Sequence, residues 1–270
     1  MGITLTAELQ VLAGICLFFL GLSVGSFLNV CIYRIPLEKS VVAPPSSCPE
    51  CNTRLTAMDL IPVLSYITLK GRCRYCKAKI SARYPLIELL TGLVYLAVYL
   101  KYGLSVETLA LLYLFSILLA VLFIDLKHMI IPNGLVLLGM AGGALIFMYN
   151  IFTPFYLYQP SRWYTPLIGM VSASGILFAI ALVGLLIYGN DGAMGMGDVK
   201  LFIPIGMFLG WKLTLLSLFL SVMLGGITSI LLLAFKIVKR KSAIPFGPFI
   251  VVGTFIAALA GYDILSWYFL

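Results

Sequence analysis

Six stretches of this chain carry no charged residue, and they are long: residues 9–33, 108–124, 129–161, 163–190, 213–235 and 242–262. A helix needs about 20 mostly apolar residues to cross the hydrocarbon of a bilayer, and most of these runs meet that length. None shows the alternation of a strand. Lipid admits only helices and closed barrels, because only they pair every backbone N–H and C=O internally. The chain is therefore expected to be an all-α polytopic membrane protein. Composition agrees: 62% of the 270 residues are hydrophobic and 10% are charged, far too few charges for a water-soluble domain. The first run is too long for a cleavable signal, lacks a basic flank and is preceded by Glu8.

About eight membrane segments are expected, at 8–31, 84–101, 105–125, 130–151, 164–188, 198–211, 213–236 and 245–268. The sixth is short, with uncharged residues 201–211 framed by Lys200 and Lys212. Threading eight crossings puts fifteen of the 18 Lys and Arg on one side and three, Lys101, Arg162 and Lys212, on the other. Loop 34–83 alone holds nine of the fifteen. The positive-inside rule then places this loop in the cytoplasm and both termini outside. The net charge of +8 is thus mostly topology, and no nucleic-acid partner is needed to explain it. Membrane lipid is the expected surrounding, and "KIVKRK" (236–241) is an anchor for anionic headgroups.

Loop 34–83 carries two CxxC pairs, Cys48/Cys51 and Cys73/Cys76. Each pair sets two thiolates on one tight turn, and two such turns close a tetrahedral four-thiolate shell, the preferred structural site of zinc. A cytoplasmic loop argues against disulfides. So small a loop has little core of its own and needs its metal to fold. Cys16 and Cys31 lie on the first apolar run and read as packing.

Only ten residues are acidic, and Glu88, Asp125, Asp191, Asp198 and Asp263 lie in or beside apolar segments. Carboxylates at such places are costly and mark function more often than chance. Asp125 ends the third segment and Asp198 opens the sixth, at the same face. "FIDLKHMIIPN" and "GMGDVKLFIP" share a plan of Asp, then Lys two residues on, then Pro. Glycines at 192, 195 and 197 clear space before Asp198. Two converging carboxylates that share one proton can activate water and polarise an amide carbonyl. Helix ends divide the roles: Asp125 at a helix C-terminus holds the shared proton, while Asp198 at an N-terminus acts as base. The competing structural account pairs each aspartate with its own lysine, Lys127 or Lys200. Pro245, Gly247 and Pro248 shape the start of the eighth segment.

Read in order, "GLSVGSFLNVCIYRIP" (21–36), the paired CxxC motifs, "YPLIELLTG" (84–92), "FIDLKHMIIPN" (123–133) and "GDVKLFIPIGMFLGW" (197–211) resemble the bacterial type IV prepilin peptidases. These are membrane aspartyl proteases of the GxGD type, here "GMGD" from Gly195 through Gly197 to Asp198. The resemblance implies cleavage of the basic leader of type IV prepilins, pseudopilins or competence pseudopilins on the cytoplasmic side of the inner membrane. It also implies methylation of the new N-terminus with S-adenosylmethionine. It makes Asp125 and Asp198 the catalytic pair and the four cysteines the zinc ligands. It points to Gly71 and Arg72 as methyl-donor contacts. Asp191 and Glu88 are offered as contacts for the basic leader. Three domains are expected on this reading: a first transmembrane helix (1–33), a zinc-binding domain with the methyltransferase region (34–83) and a transmembrane peptidase domain (84–270). Alternatives are a peptidase without methylation and a proton-coupled transporter using the aspartates as a relay. A thiol oxidoreductase would use the CxxC pairs but leaves the aspartates without a role.

Overall fold

The computed structural model describes residues 6–159, 162–189, 195–239 and 242–269. Asp191, Gly192, Arg240 and Lys241 lie outside the described residues. Among the described residues eight α-helices follow one another: α1 (Ala7–Arg34), α2 (Leu64–Thr68), α3 (Arg83–Tyr102), α4 (Val106–His128), α5 (Asn133–Phe152), α6 (Thr165–Tyr188), α7 (Met196–Ala234) and α8 (Gly247–Phe269). Seven of them, all but α2, are long and apolar enough to span a membrane. Among the described residues strand structure is limited to two isolated bridges. The protein is an all-α, multi-pass membrane protein. It divides into two compact units, residues 1–108 and 109–270.

In the first unit α1 and α3 pack antiparallel along small residues. A Cβ on Gly21 would come within 2.8 Å of Gly92 Cα, and one on Gly25 within 2.6 Å of Glu88 Cα. Nothing larger than glycine permits this backbone approach, a usual device where lipid supplies no hydrophobic drive to associate. Polar ties add to it. Asn29 Nδ2 donates to the Tyr84 carbonyl at 3.1 Å, and the Tyr99 hydroxyl donates to the Gln10 carbonyl at 2.9 Å. The polar loop fills the interval between the two helices.

In the second unit the 39-residue α7 is not a single rod. Gly210 inside it has φ 70° and ψ 171°, a backbone state open to glycine and strained for other residues. The neighbours on either side of Gly210 show what the break does. Before it, Gly139 and Gly143 of α5 face Pro204 and Met207, so the two segments run parallel. The Gly169 and Gly206 backbones of α6 and α7 touch, and Gly210 meets Thr165, so those run antiparallel. After the break, Gly261 of α8 faces Leu213, Gly253 faces Ser217 and Ser221, and Phe246 and Phe249 face Gly225. Since α8 begins beside Asp125, α7 climbs away from Asp125 as far as Gly210 and then returns. The two halves, 196–209 and 211–234, correspond to the sixth and seventh expected segments, 198–211 and 213–236, and lie within one of the seven helices long and apolar enough to span a membrane.

The rising half is short, about 20 Å at 1.5 Å per residue, and nearly all of its side chains from Val199 to Gly210 are buried. Its far end meets the α5–α6 loop, where Phe155, Leu157 and Tyr158 are buried. The Tyr158 hydroxyl donates to the Met207 carbonyl, a group in the last turn before the break at Gly210. The Tyr262 hydroxyl of α8 donates to the Leu157 carbonyl at 2.7 Å and holds the loop from the other side.

Candidate active site

In the second unit, Asp125 lies in the last turn of α4 and is 5% exposed. Met129 follows at φ 53° and ends the helix. Asp198 lies in the first turn of α7, half-buried. The chain between them is 72 residues long by number, yet both border the α4–α5 turn, Asp125 in the helical turn before it and Asp198 next to Gly197, whose Cβ position faces Ile131. Gly195 and Gly197 make that seat possible. A Cβ on Gly195 would sit 3.0 Å from Asp198 Oδ2, and one on Gly197 3.1 Å from Ile131 Cβ. The glycines of the GxGD stretch therefore clear the Asp198 carboxylate on one side and the α4–α5 turn on the other.

The lysines do not neutralise this pair. Lys200 Nζ donates to Asn133 Oδ1 at 3.3 Å, and among the described residues no ion pair joins Asp125 or Asp198 to Lys127 or Lys200. The account of two separate interfacial salt bridges fails on this geometry.

A third element completes the site. The backbone N–H of Gly247, the first residue of α8, donates to Asp125 Oδ2 at 2.9 Å. The helix-end argument from sequence counted only the C-terminus of α4. The structure sets the N-terminus of α8 against the same carboxylate, so helix dipoles no longer separate the roles of the two aspartates. Sequence reasoning missed Gly247 as a site residue. The one signal was its place between Phe246 and Pro248 at the head of an apolar run, a glycine where a helix start does not require one.

Of the other site residues named from sequence, Glu88, Gly71, Arg72 and the four cysteines fall in the first unit, and Asp191 lies outside the described residues. Glu88, one turn into α3 and 8% exposed, accepts the Val63 N–H at 2.7 Å through Oε2. Val63 itself holds φ 60° and ψ −48°, the rare positive-φ γ-turn, closed by Leu64 N–H to the Pro62 carbonyl at 2.6 Å. In the structure Glu88 is thus a tie between helix and loop. Asp191 lies outside the described residues.

The four cysteines of the first unit form two copies of one turn. Cys48 N–H donates to the Thr53 carbonyl and Asn52 N–H to the Cys48 carbonyl; Cys73 N–H donates to Ala78 and Lys77 N–H to Cys73 in the same way. Asn52 and Lys77 both take positive φ, 55° and 61°. The flanking bridges, Ser47 with Arg54 and Arg72 with Lys79, match as well. All four Sγ atoms lie within 4.8 Å of one another, and Cys48 and Cys76 are 3.8 Å apart. A tetrahedron of Zn–S bonds near 2.3 Å has edges of about 3.8 Å, so the donor set fits a tetrahedral metal ion. Hydrogen bonds from the Thr53 hydroxyl and backbone lower the Cys51 thiol, while burial and the neighbouring thiols push Cys76 up. All six cysteines are free of disulfides.

The second turn is clamped by Asp59, which sequence reasoning passed over. Asp59 accepts Arg74 Nε at 2.6 Å, the Tyr75 hydroxyl at 3.2 Å, and the Thr56 N–H and hydroxyl at 3.0 and 2.8 Å. The Arg74 guanidinium foremost holds its carboxyl well below the usual carboxylate range. Gly71 has φ 68°, and its Cβ position is filled by the Tyr66 ring at 3.0 Å. Arg72 is exposed beside it.

Residues 19–102 match the Bacterial Peptidase A24 N-terminal domain, and residues 112–230 match the Type IV leader peptidase family. The chain is 36% identical over 276 residues to a prepilin leader peptidase/N-methyltransferase of Aeromonas salmonicida, covering 93% of this chain and 92% of that one. It is 36% identical over 253 residues to one from Bacillus subtilis, covering 93% and 96%. A third, from Pseudomonas putida, is 36% identical over 269 residues and covers 92% and 90%. No solved structure matches the chain significantly. With both halves of the chain matched and its length shared with these relatives, the protein belongs to the type IV leader peptidase family.

Proposed function

We propose that the protein removes the leader of type IV prepilins and then methylates the exposed N-terminus. Family membership supports both steps, since the relatives are named prepilin leader peptidase/N-methyltransferase. One observation carries the site assignment: the start of α7 that holds Asp198 packs on the turn that follows Asp125, with Gly197 against Ile131, and among the described residues no ion pair joins either aspartate to a lysine. Two carboxylates so placed hold one proton between them. The ionised one takes a proton from water as the water attacks the scissile carbonyl. The protonated one donates a hydrogen bond to the carbonyl oxygen as it becomes tetrahedral. Collapse of that intermediate breaks the C–N bond, and the leaving amine takes up the proton.

The fifteen-to-three split of Lys and Arg supports an inner-membrane location with the site at the cytoplasmic face. Pseudopilins and competence pseudopilins carry leaders of the same chemistry and extend the substrate class. The leader is basic, so Asp191 and Glu88 are its proposed contacts. Zinc is the metal proposed for Cys48, Cys51, Cys73 and Cys76. With four thiolates around it the ion has no open position and acts on the fold. S-adenosylmethionine is the proposed methyl donor, with Gly71 and Arg72 its candidate contacts. In the structure Gly71 already serves a turn filled by Tyr66, so no step of transfer is routed through it.

The test is a mass measurement. Purified enzyme in lipid is incubated with a prepilin and S-adenosylmethionine. Loss of the leader together with gain of one methyl group supports the full reading, and loss of the leader alone restricts it to the peptidase. An intact prepilin overturns it.

A further inference from the structure

The geometry points to Gly247 as a positioning residue of the peptidase: its backbone N–H fixes the rotation of the Asp125 carboxylate and selects which oxygen works. This rests on the proposed role of Asp125. Three observations lead to it. The Gly247 N–H donates to Asp125 Oδ2 at 2.9 Å. A Cβ at Gly247 would come within 2.6 Å of that oxygen and 3.1 Å of Cβ and Cγ of Asp125, so position 247 accepts glycine and little else. Oδ1 of Asp125 has no hydrogen-bond partner among the described residues, and neither has the carboxylate of Asp198. One aspartate is therefore held by one oxygen with its other oxygen open, while the second is held by none.

A carboxylate turns freely about its Cβ–Cγ bond unless something stops it. A general base must present one oxygen within about 3 Å of the water it activates. A charge-assisted bond from an N–H to Oδ2 stops the rotation and leaves Oδ1 for water or the scissile carbonyl. The donor belongs to the first turn of a 23-residue helix, where the N–H lacks an intrahelical partner. It costs the fold no other hydrogen bond. Residues 246 and 249 of the same turn pack against Gly225 of α7, which keeps the N–H in place. Among the described residues, Asp198 at the start of α7 borders the turn after Asp125, and Lys127 and His128 follow Asp125 on its own helix.

The test uses the full-length enzyme in lipid, with kcat, KM and the pH–rate profile measured on a prepilin. Glycolic acid in place of Gly247 converts the amide to an ester and removes the N–H without adding an atom. Gly247→Ala keeps the N–H and adds the Cβ. Asp125→Asn is measured alongside. Loss of one charge-assisted bond predicts a fall in kcat of about 10- to 100-fold for the ester, with KM within about twofold and a displaced pH–rate profile. Gly247→Ala should fall at least as far. Ester and alanine enzymes with the parent's kcat and pH profile, beside an inactive Asp125→Asn, overturn the inference and leave the peptidase reading standing. An ester enzyme that loses thermal stability and kcat together, with its pH profile unmoved, also overturns it, because the bond is then only structural. An active Asp125→Asn overturns the peptidase reading itself.

Discussion

The two cysteine turns and the two aspartates solve the same problem, bringing reactive side chains together, by opposite routes. Each cysteine pair is built locally, with Cys48 and Cys51, or Cys73 and Cys76, set by hydrogen bonds that span five residues. The second turn repeats the first, down to the positive φ at Asn52 and Lys77. The aspartate site has no such local scaffold. It takes one residue from the end of α4, one from the start of α7 and an amide from the start of α8. A locally built site depends on what it binds to hold its halves together. A site assembled from helix ends depends on how the helices pack.

That contrast can be broken most directly at the aspartates. Asp125→Asn and Asp198→Asn should each reduce leader cleavage about 10⁴-fold or more, since the members of a catalytic pair act as one. Methylation of a pilin supplied already cleaved should continue, and a mass assay on the two substrates separates the outcomes. Removing the metal should do the reverse. A strong chelator, or Cys73→Ser, should expose loop 34–83 to proteolysis and abolish methylation. Structural zinc contributes on the order of 10 kcal/mol in such small sites. If cleavage of prepilin by the chelated enzyme falls as steeply as methylation, the two sites are not independent and the contrast fails.

Packing supplies the next test. Gly206→Leu would drive a side chain into the Gly169 backbone of α6. It should cost about 3 kcal/mol or more, and it should reduce cleavage through misplacement of Asp198, read as lower thermal stability together with lower kcat.

The smallest effect is at Asp59. Its carboxyl is held below the usual carboxylate range by Arg74, so it stabilises the fold above the unfolded value of about 4. That stabilisation fades as the pH falls through the folded value. Asp59→Asn should therefore melt below the parent at neutral pH, with the gap closing in acid. A gap that stays constant with pH would show that Asp59 acts as a neutral hydrogen-bond acceptor.

How much of this could be read in the chain follows from the same contrast. The four-cysteine cluster of loop 34–83 was legible because the cysteines of each pair are neighbours and their spacing is the geometry. The membrane segments were legible as uncharged runs, and even the reversal within α7 was placed within two residues. The sequence boundary fell at Lys212, a charge, whereas the turn is made at Gly210, the residue able to take φ 70°. Asp125 and Asp198 could be singled out, as the pair proposed for catalysis, from their rarity and their local motifs. Their partner could not: Gly247 is 122 residues from Asp125, and a backbone N–H leaves no mark in a side-chain pattern. Asp59 escaped for a related reason, since its clamp on Arg74 and Tyr75 exists only once the second cysteine turn has formed.

The loop wedged against the break in α7 has a consequence for the cell. A hydrolase at the end of a short helix threatens the barrier it sits in, because water admitted for the reaction could continue across and carry protons with it. Phe155, Leu157 and Tyr158 are all buried, Tyr158 packs on Gly210 at the helix end opposite Asp198, and its hydroxyl donates to the Met207 carbonyl. Such packing would confine water and peptide to the Asp198 end of the helix, and opening it with Tyr158→Ala should then raise proton leak through vesicles that hold the enzyme.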